Sequence, residues 1–499
     1  MSATANTAQA GTADGSQIAV SHWIGGEWVA SGTIIDSINP ANGQVIGSFR
    51  DGGATEAQAA IDAASAAFHG SDWSSDPVLR AKALSHLADA YEARLGDVIT
   101  TLCRENGKLQ NEAGFEAHFI PRALRFAAGL AMHNFGRVVD TKPGQQSMSI
   151  RQPIGIAGLI IPWNSPAYLF IRALAPALAA GCAVVAKLPA QAAQSAALAS
   201  EIIGSVPELA GGLVNIFVES GADGAQLLVS SPLVPVVSYT GSTQTGRIIA
   251  RNAADQLKRL SLELGGKTPH LVFNDAPLEA LLPTLEKSST VFAGQFCMTG
   301  SRILVQRQIA DQVISGLAER LRAVKPGPAT DPDSDMGPLI NKSSVERVDA
   351  AVEAAILAGA KVIVRGGPAT KPELTGGAFY HPTLLQVDNQ RLAIVQTETF
   401  GPVQTVQVFD TEEEAIALAN DSEYGLSACV WSQDINTPMR VSRQLDAGLI
   451  SINSWGNLAV EFEEGGWKAS GSGRLGGLAS LDDFTEYKQI TQDYIPQSH

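Results

Sequence analysis

A chain of 499 residues exceeds what one hydrophobic core ordinarily serves, so two or three domains are expected. Hydrophobic residues make up 45% and charged residues 17%, a soluble globular balance. The formal net charge of −15 argues against general attraction to nucleic acid or anionic membranes, and the longest apolar run, 154–161, is broken by Gly155 and Gly158 and stopped by Pro162, too short to span a bilayer.

In chain order, residues 1–18 are rich in Ala, Thr, Gly and Ser and lack Lys and Arg. They read as a disordered leader rather than a secretory signal or transit peptide. Short strands and turns over 23–49 precede helical patterns at 55–68, 77–89 and 115–132. From 154 the pattern changes. Apolar runs at 154–161, 182–186, 214–218, 234–239 and 260–264 alternate with helix-forming stretches, which implies parallel strands with crossover helices in an open α/β sheet. After Cys297, strand-like segments at 303–305, 362–364, 403–409, 427–431 and 449–452 interleave with helices at 310–324, 345–358, 412–419 and 437–445. This predicts a second α/β domain with Cys297 near the junction, a favoured place for a site. Segments 147–151 and 484–490 alternate like strands remote from either sheet; they are expected to form an oligomerisation arm, or else an intrachain edge.

Cys103, Cys182, Cys297 and Cys429 have neither paired nor metal-like spacing, which points to a reducing compartment, the cytoplasm, and to no zinc site. Two segments carry chemistry. Leu262-Glu263-Leu264-Gly265-Gly266-Lys267 sets a carboxylate among apolar residues, and Gly294-Gln295-Phe296-Cys297 sets a thiol in a turn before a strand. Thiols attack carbonyl carbons, and a desolvated carboxylate suits proton abstraction from water. The pair suggests a thioester route; taken singly, an inert buried cysteine and a turn glutamate explain them as well.

Pro162-Trp163-Asn164 follows the run ending at Ile161, where open sheets place ligands. Its amide could face an oxyanion, or the Asn could simply begin a turn. Ser238 to Gly246 joins a strand to a helix, and its Gly and hydroxyl residues suit a pyrophosphate or an ordinary N-cap. Gly241 and Gly246 have Walker spacing, but Arg247-Ile248 replace the required Lys-Ser/Thr, which disfavours a nucleotide triphosphatase. Lys187 ends a strand, where it reaches a ribose or phosphate or is merely solvated. Glu398-Thr399-Phe400-Gly401-Pro402 offers a carboxylate and an aromatic wall, or a turn.

Together with Gly465-Gly466-Trp467-Lys468-Ala469-Ser470-Gly471, these elements resemble the aldehyde dehydrogenase superfamily, in the right order and over nearly the whole chain after the leader. The resemblance implies a Rossmann-like dinucleotide-binding domain (19–135 and 154–265), a second α/β catalytic domain (266–465) and a small β oligomerisation arm with a C-terminal segment (136–153 and 466–499). It implies an aldehyde substrate, NAD as cofactor with NADP tolerated, no metal, and a homodimer or homotetramer. Residue by residue, it makes Cys297 the nucleophile, Glu263 the general base, and the Asn164 amide with the Cys297 backbone N–H the oxyanion hole. Lys187 then reaches the adenine ribose, Trp163 and Ser242 the pyrophosphate, and Glu398 and Phe400 the nicotinamide end. Ile161, Pro162, Gly241, Leu264 and Gly265 complete the cofactor site. A CoA-acylating enzyme, which lacks the Glu263 base, and a non-catalytic binding protein are the alternatives.

Three positions depart from the family pattern. Ala190 replaces a ribose-binding Glu three residues after Lys187, which removes repulsion toward a 2′-phosphate. Glu463-Glu464 replace Pro-Phe, so an aromatic wall of the substrate tunnel is missing, and Phe296 and Glu464 are candidate substrate contacts. Arg172, eight residues after Asn164, occupies a position that is Arg in semialdehyde-oxidising and some aromatic-aldehyde members. Arg172 argues for a carboxylated substrate, Glu463 and Glu464 argue for an aminoaldehyde, and a third reading pairs Arg172 with one of these glutamates.

Overall fold

Runs such as Ile156–Ile160 and Ala183–Pro189 lack polar alternation because both faces are covered, and every residue in them is buried. The computed structural model describes residues 19–133 and 136–494, so the leader assigned to 1–18 lies outside the described residues. The runs build an eight-stranded sheet in the order Glu27–Val29, His22–Ile24, Val214–Glu219, Ala183–Pro189, Ile156–Ile160, Val236–Thr240, Arg259–Glu263 and Gly471–Ser472. Its five central strands are parallel, and the chain enters in the middle and winds outward on both sides. The order therefore reverses between Ile156–Ile160 and Val236–Thr240, which opens a crevice beyond their carboxyl ends.

A second, seven-stranded sheet runs Lys361–Val364, Thr383–Gln386, Val403–Phe409, Arg302–Gln306, Pro269–Val272, Ser427–Trp431 and Leu449–Ile452. Lys361–Val364 is antiparallel and the rest are parallel. Only residues 264–268 separate the last parallel strand of the first sheet from a central strand of the second. Arg302 fixes this crossing from within the core. Its buried guanidinium donates to the carbonyls of Lys267 (3.0 Å), Leu418 (3.0 Å) and Ala419 (2.8 Å), so its charge is desolvated but its donors are engaged.

Helices cover both sheets. Pro166–Ala180 is apolar nearly all round, starts with Pro at its first turn and ends at Gly181 in the left-handed region (φ 98°), as a buried crossover helix should. Sequence reading missed the helices Leu95–Glu105 and Leu278–Thr290 and the four-residue strands Pro269–Val272 and Thr383–Gln386. The two strands are too short to show a period, and Pro283 masks the second helix.

The segments read as an arm pair with each other. Thr485–Asp493 runs antiparallel to Gln145–Pro153, whose other side carries Arg137–Lys142. Among the described residues no helix is long and apolar enough to cross a membrane.

Candidate active site

Glu263 ends its strand directly opposite Thr240, and the Gly241 N–H closes the gap by donating to the Glu263 carbonyl at 3.0 Å. The carboxyl group is buried, and its Oε1 makes no hydrogen bond to the described protein. Gly465 packs over that oxygen so closely that a Cβ would lie 2.9 Å from it. Burial pushes the Glu263 acid up to about 8; Arg172 opposes the rise and Glu464 adds to it.

The thiol is reached through a strained turn. Phe292 and Ala293 both have φ 53° and Gly294 has φ 70°, and at Gly294 a Cβ would strike the Gly401 carbonyl carbon at 2.4 Å. The Gln295 side chain locks the turn, donating to the Phe292 carbonyl (3.0 Å) and accepting from the Ile340 N–H (2.8 Å). Cys297 is partly exposed, whereas Cys103, Cys182 and Cys429 are buried. Its thiol is pushed up to about 12, mainly by burial and secondarily by Glu464. Gly266 lets the two sheets close on it, since a Cβ there would lie 2.4 Å from the Cys297 carbonyl oxygen. The Asn164 amide donates to the Gln295 carbonyl at 3.1 Å, which brings that amide to the cysteine turn.

Sequence reading missed the support beneath these groups. Glu112 and Glu116 lie one turn apart on the helix Gln110–Ala131 and are both buried. Glu112 accepts from the Phe292 N–H at 2.8 Å and so holds the start of the cysteine turn. Glu116 accepts from Ala167 N–H (2.9 Å) and Tyr168 N–H (3.1 Å), first-turn donors of the helix that follows Asn164 that have no partner within the helix. Lys108 pairs with Glu116, donates to Ser165 Oγ at 3.1 Å and lies 4.0 Å from the Phe292 ring centre. One helix face thus ties the loop bearing Asn164 to the turn bearing Cys297. Its available signal was the i, i+4 carboxylate spacing just after Lys108.

The predicted cofactor residues gather at the crevice of the first sheet. Ser242 caps the helix Thr243–Ala253 by accepting from the Thr245 N–H at 3.2 Å. At Gly241 a Cβ would meet the Tyr239 hydroxyl at 2.2 Å, and at Gly246 it would meet Leu264 at 2.6 Å, so both glycines keep backbone close to its neighbours. Lys187 is buried at its strand end and its pKa is lowered by that burial, with Glu219 and Asp51 opposing. Ala190 opens the short 3-10 turn that follows. Trp163 and Phe400 meet edge to face at 5.5 Å, and Phe400 sits at φ 51°. Glu398 Oε1 accepts from the Gly266 N–H at 3.2 Å, and its carboxyl is raised to about 7 by burial. A Cβ at Gly265 would collide with its other oxygen at 2.4 Å. Ile161 and Pro162 lead from the Ile156–Ile160 strand into this loop. A capped helix start, a strand-end ammonium and a glycine-lined carboxylate fit a dinucleotide.

Arg172 does pair with one of the two glutamates. Its Nη1 donates to Glu464 at 2.9 Å and its Nη2 to Thr240 Oγ1 at 3.3 Å. Glu463 turns elsewhere and accepts from the Ala479 N–H. Phe296 packs edge to face on Trp455 at 5.8 Å, so Trp455 supplies an aromatic side next to the thiol turn. Among the described residues no cluster of three His, Cys, Asp or Glu could hold a metal ion.

An open parallel sheet facing a second sheet across a thiol, a desolvated carboxylate and an amide defines a class of enzyme able to pass through an acyl-thiol intermediate. The chain belongs to the aldehyde dehydrogenase family, whose model matches residues 28–490. It is accordingly an NAD(P)-dependent oxidoreductase that acts on aldehydes. It is similar to 2-aminomuconic semialdehyde dehydrogenase of Danio rerio, 39% identical with 95% of this chain and 98% of that protein covered. It is also similar to betaine aldehyde dehydrogenase of Bacillus subtilis, 36% identical with 95% and 97% covered. A crystal structure of betaine aldehyde dehydrogenase from Staphylococcus aureus in complex with NAD+ superposes with a TM-score of 0.92 at 33% identity, covering 96% of each chain.

Proposed function

We propose that Cys297, Glu263 and Asn164 carry the oxidation of an aldehyde to its carboxylic acid, with NAD as the cofactor. The observation that carries this reading is the convergence of all three: a partly exposed thiol, a buried acid with an unpartnered oxygen whose charge acts on that thiol, and an amide held at the thiol's own turn.

The chemistry follows from these environments. A thiol held protonated by burial gives its proton to water as it attacks, and the sulfur bonds to the aldehyde carbon. The carbonyl oxygen becomes anionic, and Asn164 Nδ2 with the Cys297 backbone N–H would hold it. Bound NAD supplies the acceptor for the hydride that leaves the same carbon. Glu263, titrating near 8, takes a proton from water so that hydroxide attacks the thioester carbon and the sulfur departs. Lys187, Ser242, Trp163, Glu398 and Phe400, with Ile161, Pro162, Gly241, Leu264 and Gly265, would hold the dinucleotide. NAD is supported by the NAD+ complex of the Staphylococcus aureus relative, while Ala190 leaves room for NADP.

The division at 265–266, a homodimer or homotetramer built through the three-stranded arm, and a cytoplasmic setting belong to the same reading. Exposed Val138, Val139 and Ile490 on the arm support its docking on another copy. The test is single-turnover kinetics. Cys297→Ser should abolish NADH formation, and Glu263→Gln should allow one NADH per site and then stop. Full turnover by either variant refutes the assignment.

A further inference from the structure

Resting on Cys297 as the attacking thiol, we infer that Glu464 is a built-in counter-ion that occupies the guanidinium of Arg172 and thereby selects neutral aldehydes over charged ones. The starting point is where the pair sits. Arg172 is buried, donates to Thr240 directly opposite Glu263, and places its charge on both Glu263 and Cys297. A carboxylate on a substrate would find Nη1 already engaged by Glu464 and Nη2 by Thr240, leaving the buried Nε as the nitrogen without a partner.

Glu464 cannot easily step aside. Its backbone is pinned on both sides, donating to the Leu475 carbonyl at 2.7 Å and accepting from the Leu475 N–H at 2.9 Å. A carboxylated aldehyde that displaced it would leave Glu464, a half-buried carboxylate whose side chain is 13% exposed, without its cationic partner. A cationic aldehyde that captured Glu464 would strand Arg172 in the same way. Of the other charged neighbours, Arg474 and Asp483 act on Glu263 in opposite directions. Tyr168 lies one turn before Arg172 on the same helix, and Glu263 is kept largely protonated at neutral pH by burial. The pair therefore presents little net charge to the pocket. Aromatic side chains flank the site: Tyr168, one turn from Arg172, meets Phe119 at 5.5 Å, and Phe296, next to Cys297 in the chain, meets Trp455 at 5.8 Å. A neutral aldehyde with an aromatic or apolar body satisfies both features.

The test compares three aldehydes of one shape, benzaldehyde, 4-carboxybenzaldehyde and 4-(trimethylammonio)benzaldehyde, by kcat/KM with NAD. The wild type should favour the neutral compound over both charged ones by at least ~10-fold. Glu464→Gln should raise the carboxylated-to-neutral ratio at least ~10-fold, chiefly by lowering KM for the carboxylated compound, and adding Arg172→Met should abolish that gain. Ratios cancel any general loss of active enzyme. A wild type that takes the carboxylated compound as well as the neutral one, or oxidises none of the three, overturns the inference, and so does a Glu464→Gln ratio that stays put. If Cys297→Ser is inactive while those ratios fail, only the counter-ion is refuted; if Cys297→Ser turns over normally, the thiol reading falls with it.

Discussion

Replacing Glu263 by Gln should separate the catalytic use of this acid from its cost to the fold. In the folded chain the acid is held from its ordinary 4.5 up to about 8, chiefly by burial. Each tenfold change in proton affinity is worth ~1.4 kcal/mol, so the ionised group opposes folding by ~4 to 5 kcal/mol once the pH passes the folded value. The sign follows from proton binding. The folded state holds the proton more tightly than the unfolded state, so the wild type keeps its full stability below about pH 4.5 and loses it as pH rises toward 8. Glu263→Gln has nothing to titrate there. Thermal unfolding at a series of pH values from 5 to 9 should therefore show the variant gaining on the wild type up to about pH 8, with no further widening above. Wild-type hydrolysis of the acyl intermediate should rise over the same upper range, because only the carboxylate accepts a proton from water. A stability gap that is flat across this window would refute the buried-acid argument, whatever the kinetics show.

Asn164→Ala should slow the NADH burst by ~10² to 10³-fold, the loss expected when one oxyanion donor is removed; stopped-flow fluorescence reads it, and an unchanged burst would remove Asn164 from the site. Glu116→Gln weakens two backbone hydrogen bonds and the Lys108 pair, each charge-assisted bond being worth ~1.5 to 3 kcal/mol. A burst slowed by about 10-fold or more, with little change in KM for NAD, is expected, and a change in KM alone would argue against its hold on the Asn164 loop. Ala190→Glu should lower the NADP-to-NAD ratio of kcat/KM by at least ~10-fold through repulsion of the 2′-phosphate. An unaltered ratio would place Ala190 away from the ribose.

Much of the fold was legible because burial on both faces leaves a plain mark. The strands at Ile156–Ile160, Val214–Glu219 and Ser427–Trp431 coincide with largely apolar, fully buried runs, and the Gly and hydroxyl residues of 238–246 mark a strand passing into a capped helix. Elements of four residues, such as Pro269–Val272, carry too little pattern, and their existence depends on neighbours far along the chain. The residue types of Glu263 and Cys297 were also local information, but an apolar setting fits a turn glutamate and an inert cysteine equally well, and the ordered set of motifs along the chain singled them out.

What the linear order could not decide was who faces whom. Arg172 had two acidic candidates side by side, and only the backbone bridge at Glu464 and Leu475 turns one toward the guanidinium while Glu463 caps the turn at Ala479. The clamp formed by Lys108, Glu112 and Glu116 likewise arises from contacts across up to 180 residues of chain. The residue types that can do the chemistry are therefore set by the sequence itself, because reactivity belongs to the side chain. Their protonation, pairing and aim are set by the tertiary structure, because desolvation and hydrogen-bond direction exist only once distant segments pack.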